Sequence, residues 1–152
     1  MKKEQDALRE RALAMLGRRA MSRRELIDKL IQKGESAEAA EETAQWLEKT
    51  GLLNDADYAE LIVRHYAEKG YGRRRVEQEL WRRGVDKELW VTALAEMPEG
   101  DDALDRFIQS KLRGSVPDRA EEKRVADALC RRGYHWDQIS AGLRRYQESL
   151  EE

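Results

Sequence analysis

One cysteine, one phenylalanine, two prolines and two histidines are all that these 152 residues contain of those types, and each scarcity removes a class of protein. A lone Cys130 can close no disulfide within the chain and cannot anchor a structural zinc, so no oxidising compartment is implied. His65 and His135 are too few and too isolated for a histidine-based metal site, and neither a metal nor a cofactor is expected. No run reaches the roughly 20 apolar residues of a membrane-spanning helix. The opening Met1-Lys2-Lys3-Glu4-Gln5-Asp6 leads into a charged amphipathic segment with no apolar signal region, which predicts a cytoplasmic protein without a membrane partner. Strand signals are missing too: there is no period-two alternation, and β-branched residues are sparse. What remains is a chain with 39% charged residues, 7% aromatic residues and only 12 Gly and Pro together (10 and 2), the composition of well-capped helices. The fold class expected is all-α.

Charge is present in both signs and in blocks. The net charge of −2 hides 10 basic and 5 acidic residues over 1–34, 1 and 8 over 35–62, 7 and 3 over 63–84, 1 and 7 over 85–105, and 10 and 8 over 106–152. A protein dedicated to nonspecific DNA binding is usually basic overall, because Lys and Arg neutralise phosphate. Alternating blocks suit a protein or nucleoprotein partner that itself presents both signs, and the competing reading is ordinary solvated helix faces.

The chain carries an internal repeat. The segment Ser22 to Gly34 matches GRRRVEQELWRRG at 72–84 and EEKRVADALCRRG at 121–133, at offsets of 50 and 49. We call the matching segments marker helices. Their apolar positions are Leu26/Val76/Val125, Leu30/Leu80/Leu129 and Ile31/Trp81/Cys130, read as a stripe on one helix face. A basic residue (Lys33, Arg83 or Arg132) follows in the last turn, where the helix dipole favours a cation, and Gly34, Gly84 or Gly133 supplies a left-handed stop. Ser22 with Glu25 predicts a capping box, and Gly72 is an acceptable N-cap.

Amphipathic segments precede each marker, over about 4–18, 55–69 and 102–113. Others follow it, over about 37–50, 87–97 and 136–149, the second starting after Asp86 and ending at Pro98. Nine helices in three units result, with boundaries near 53 and 99: repeats over 1–53, 54–98 and 99–152. Pro98 to Asp102 is the expected joint, and the third unit carries a longer loop at Gly114-Ser115-Val116-Pro117. Units this short must lean on their neighbours, which predicts an elongated, curved array.

Gly51-Leu52-Leu53-Asn54-Asp55-Ala56-Asp57-Tyr58-Ala59, followed by Lys69-Gly70-Tyr71-Gly72 and the second marker helix, resembles the RecX regulatory proteins of bacteria. The first and third units fall where that family has its other repeats, so the resemblance covers nearly the whole chain. It implies a monomer that binds the RecA recombinase filament on single-stranded DNA, lies in its groove and restrains ATPase activity, strand exchange and filament growth in recombination, DNA repair and the SOS response. The chain departs from the family at two helix starts: Arg73 stands where many members have proline, and His135 where they have a small hydroxyl residue.

The arginines are the candidate contact residues. Arg73, Arg74 and Arg75 occupy a first helical turn, where the dipole disfavours cations by a few tenths to about 1 kcal/mol, so an external anion is one reason to place them there. Arg23 and Arg24 hold the same place in the first marker, and Arg82, Arg83, Arg131 and Arg132 sit at marker ends. A planar guanidinium suits carboxylate or phosphate, whether on RecA or on its DNA. Local pairing, such as Arg73 with Glu77, is the competing reading. Tryptophans interleaved with arginine could stack on single-stranded bases, but the repeat alignment assigns Trp81 and Trp90 to the core and Cys130 to the same core position as a buried thiol, leaving Trp46 and Trp136 open. No catalytic motif is expected: Gly70-Tyr71-Gly72 lacks the Gly-Lys-Ser/Thr ending of a phosphate loop, and no nucleophile elbow is present. A helix-turn-helix-like operator binder and an adaptor for another protein complex are the rival readings.

Overall fold

A computed structural model describes residues 2–152, and among them there are helices and loops but no strand. The helices are α1 (Lys2–Arg18), α2 (Arg23–Gln32), α3 (Ala37–Lys49), α4 (Asp55–Glu68), α5 (Arg73–Arg82), α6 (Trp90–Leu94), α7 (Asp102–Leu112), α8 (Arg119–Arg131) and α9 (Trp136–Leu150). The all-α, tandem three-helix expectation holds, and α2, α5 and α8 are the marker helices.

Local chemistry sets their ends. Ser22 Oγ accepts from the Glu25 amide at 3.1 Å while Glu25 Oε1 accepts from the Ser22 amide at 3.1 Å, the predicted capping box. At the other end all three markers close alike. The residue after the glycine donates back across the turn, Glu35 to Leu30, Val85 to Leu80 and Tyr134 to Leu129, at 3.0, 3.0 and 3.2 Å. That pattern needs a left-handed residue, and Gly34, Gly84 and Gly133 have φ of 103°, 75° and 96°. His135 caps α9 in place of a hydroxyl residue: its Nδ1 accepts from the Asp137 amide at 3.3 Å, and Gln138 returns a bond to the His135 amide at 3.0 Å.

Two elements differ from expectation. The helix expected over 87–97 is a 3-10 turn (Lys87–Leu89) followed by the short α6. The Asp86 side chain makes no cap bond there, and β-branched Val91 and Thr92 weaken the continuation. Helix α8 starts early because Asp118, just past Pro117, caps it through the Glu121 amide at 2.8 Å, giving 13 residues against 10 in α2 and α5.

By packing, the chain divides into two compact units: the described residues up to Ile62 with Glu79–Ala93, and Val63–Gln78 with Leu94–Glu152. In the first, Leu8 and Met15 of α1, Leu26 and Leu30 of α2, and Ala44 and Leu47 of α3 form one apolar core. In the second, Leu104 and Ile108 of α7, Val125 and Leu129 of α8, and Ile139 and Tyr146 of α9 form another. Gly142 lets α9 close on α7: a Cβ there would lie 2.3 Å from Leu104 Cδ2. Each fully buried Leu or Ile contributes about 1.5–3 kcal/mol.

The third position of the marker stripe corrects the sequence reading. Leu26, Leu30, Val76, Leu80, Val125 and Leu129 are buried, but Ile31 is 42% exposed, Trp81 is 70% exposed and Cys130 is exposed. Trp81 is not core, and Cys130 is not a buried thiol. At 3.6 residues per turn the first two stripe positions lie about 40° apart, and the third lies about 100° beyond them, outside the seam that a short helix buries in a three-helix bundle. Trp90 is half-buried and donates from Nε1 to Val85 O at 2.9 Å. Trp46 is packed against the first core, with the Arg9 guanidinium 4.4 Å from its ring centroid, while Trp136 is exposed.

Candidate partner-binding surface

In the first unit the start of α2 meets the end of α5. Ser22, fully buried, uses its hydroxyl twice: it accepts from the Glu25 amide and donates to Arg83 O. The aliphatic stem of Arg24 lies over Gly84, where a Cβ would come within 2.7 Å of Arg24 Cδ. Arg83 is held as well. Its Nη1 donates to Tyr58 Oη at 2.9 Å and its Nε to Glu79 Oε2 at 3.2 Å, which compensates a carboxylate only 1% exposed. Arg23 donates its amide to Asp55 Oδ1 at 2.8 Å and its guanidinium to Glu48 at 2.7 Å and to Glu41. The bonds to Glu41 and Glu48 raise the Arg23 pKa further above its ordinary value, and the Arg23 bond lowers that of Glu41. Burial raises the Asp55 carboxyl, with the Arg23 amide only partly opposing it.

In the second unit the start of α5 meets the end of α8 through the aligned residues. Gly72 N donates to Arg132 O at 2.7 Å and Arg74 N to Gly133 O at 3.1 Å. The backbones nearly touch: a Cβ on Gly72 would lie 2.7 Å from Gly133 O, and one on Gly133 would lie 2.3 Å from Arg75 N. Arg132 is clamped, its Nη1 donating to Lys69 O at 3.2 Å and its guanidinium 5.4 Å from the Tyr71 centroid and 4.7 Å from that of Phe107. Arg75 lies 5.5 Å from the centroids of both Tyr66 and Tyr71, and Tyr134 Oη donates to Gly70 O at 2.8 Å. Burial raises the Tyr134 phenol above its ordinary pKa.

The nine candidate arginines thus fall into two groups. Arg23, Arg75, Arg83 and Arg132 are partly covered and engaged in holding one segment to another. Arg24, Arg73, Arg74, Arg82 and Arg131 are exposed. Arg73 pairs with Glu77 at 3.2 Å, worth at most a few tenths of a kcal/mol at such exposure, and Arg82, itself exposed, approaches the buried Glu79 carboxylate at 3.9 Å. Arg24, Arg74 and Arg131 make no ion pair among the described residues. An exposed guanidinium without a local acid keeps its donors for an external carboxylate or phosphate. Trp81, which the repeat alignment assigns to the core, and Trp136, which it leaves open, are both exposed, at 70% and 64%. No group of three or more His, Cys, Asp or Glu side chains among the described residues could hold a metal ion, and no described helix is long and apolar enough to cross a membrane.

Comparison with known proteins agrees with this architecture. Family models described as RecX, first three-helix domain, and RecX, second three-helix domain, match residues 9–47 and 54–94. A regulatory protein RecX from Halorhodospira halophila is 35% identical over 96% of this chain and 92% of its own length, and one from Stenotrophomonas maltophilia is 37% identical over 89% and 84%. The crystal structure of RecX from Lactobacillus salivarius shares the fold, with a TM-score of 0.82 at 21% identity over 97% of this chain and 99% of that one. With two family domains in tandem and full-length relatives above 30% identity, this chain belongs to the RecX family of regulatory proteins.

Proposed function

We propose that this chain is a noncatalytic regulator that binds the RecA filament on single-stranded DNA and slows its ATPase, strand exchange and extension. The observation that carries this reading is the near full-length match to proteins named regulatory protein RecX. The exposed arginines support it from the chemistry side. Arg24, Arg74 and Arg131 stand at aligned starts and ends of marker helices, as do Arg73 and Arg82. In this reading residues 1–53, 54–98 and 99–152 are three repeats, each offering one marker helix to a partner that repeats as well, and the protein acts as a cytoplasmic monomer. The exposed group makes the electrostatic contact. The engaged group, Arg23, Arg75, Arg83 and Arg132, contributes by fixing the geometry.

The test is the RecA ATPase rate on single-stranded DNA, titrated with the purified chain at two salt concentrations. Inhibition well below one chain per RecA, weakened by salt, is the expected result. No effect at excess chain would overturn the reading in favour of an adaptor, and tight binding to one duplex sequence without RecA would favour an operator-binding protein.

A further inference from the structure

Helix α5 shows five side chains to solvent, Arg73, Arg74, Gln78, Trp81 and Arg82, and none is acidic. Glu77 is half-buried beside Arg73, and Glu79 is buried against Arg83. Trp81 stacks on no ring or cation among the described residues. Arg82 follows it with a side chain 71% exposed, and Arg24 reaches the same helix end, its stem laid over Gly84, whose amide closes the turn onto Trp81 O at 3.0 Å.

A large aromatic left in water forgoes the burial that its neighbour Leu80 obtains, and the other side chains that α5 exposes are cationic or amide, not aliphatic. Tryptophan hot spots of protein interfaces sit in well-packed apolar patches, and α5 exposes no aliphatic side chain to build one. A flat ring flanked by exposed guanidinium groups, with the Glu79 carboxylate 3.9 Å from Arg82 buried and held by Arg83, matches a nucleobase with its adjacent phosphates. We infer that Trp81, with Arg82 and Arg24, is a stacking platform for single-stranded nucleic acid. This deepens the function proposed above, on which it rests, by naming DNA within the filament as a direct contact.

The test measures fluorescence anisotropy of a labelled oligothymidylate with the full chain over a salt series, beside the RecA ATPase titration, with circular dichroism confirming that each variant folds. Trp81→Ala is expected to weaken binding by roughly 5- to 150-fold with an unchanged salt slope, and Trp81→Phe to restore most of it. The double change Arg24→Ala, Arg82→Ala is expected to lower the slope of log affinity against log salt by about 1–2. Wild-type chain that binds no oligothymidylate yet inhibits RecA would sink the platform and leave the proposed function standing. Trp81→Ala that loses RecA inhibition while keeping oligonucleotide affinity would make Trp81 a protein contact and overturn the inference.

Discussion

The hydroxyl of Ser22 donates to the carbonyl of Arg83, 61 residues further along the chain, while accepting from the amide of Glu25 three residues away. One oxygen therefore serves a local purpose, capping α2, and a distant one, seating the end of α5. Aligned positions repeat the relationship in the second unit, where Gly72 supplies its amide to the carbonyl of Arg132.

Replacing Ser22 by Ala removes the cap and leaves a carbonyl without its donor in a buried place. A loss of about 1–3 kcal/mol is expected, read as a lower urea midpoint with an unchanged slope. A change below about 0.5 kcal/mol would show that the hydroxyl serves neither role.

The three marker glycines share a left-handed backbone but not a neighbourhood. Gly34 has nothing within 4 Å of a hypothetical Cβ, whereas Gly133 has Arg75 N at 2.3 Å. Gly34→Ala is expected to cost only the backbone penalty, about 1–2 kcal/mol, and Gly133→Ala distinctly more. Equal costs in thermal denaturation would count against the close junction.

Arg132→Ala should destabilise by about 1–3 kcal/mol, because two ring contacts and a carbonyl bond are lost. Arg74→Ala and Arg131→Ala should stay within about 0.5 kcal/mol of the parent, while weakening filament inhibition in a salt-dependent manner. The same denaturation and ATPase assays on all three variants check whether the arginines divide this way.

Asp55 offers a pH test. Its carboxyl is raised above the ordinary value by burial, so the folded state holds that proton more tightly than the unfolded chain does. Its stabilising contribution is therefore complete at pH below the unfolded value of about 3.9 and is lost as pH rises through the higher folded value. Asp55→Asn keeps an acceptor for the Arg23 amide but cannot ionise. Its stability relative to wild type should rise as pH increases from about 3 to 7, measured by urea midpoints, and a flat difference would refute the assignment.

Trp81→Ala separates the sequence reading from the structure on stability alone. A core tryptophan would cost about 3–5 kcal/mol, whereas a residue 70% exposed should cost under about 0.5. Chemical denaturation decides between them.

The helices themselves were legible because their signals are local. Apolar positions four residues apart, Ser22 with Glu25, and glycines just past Lys33, Arg83 and Arg132 act over a turn or two, and their geometry follows from backbone sterics and caps. The alignment of three marker segments likewise exposed the tandem plan. It could not tell Leu80, buried, from Trp81, exposed, since adjacent residues of an apolar stripe differ only in which neighbours cover them.

The sequence by itself determined the all-α class, the glycine-closed ends of the three marker helices and the set of arginines from which the proposed contact surface is drawn. Only the tertiary structure decided that Arg83 and Arg132 are held while Arg74 and Arg131 stand in water, and that Trp81 and Cys130 face outward. The physical reason is range. Capping and periodicity act within about one turn, but burial and pairing depend on groups such as Tyr58, Lys69 and Phe107, placed 25 to 63 residues away by the packing of helices.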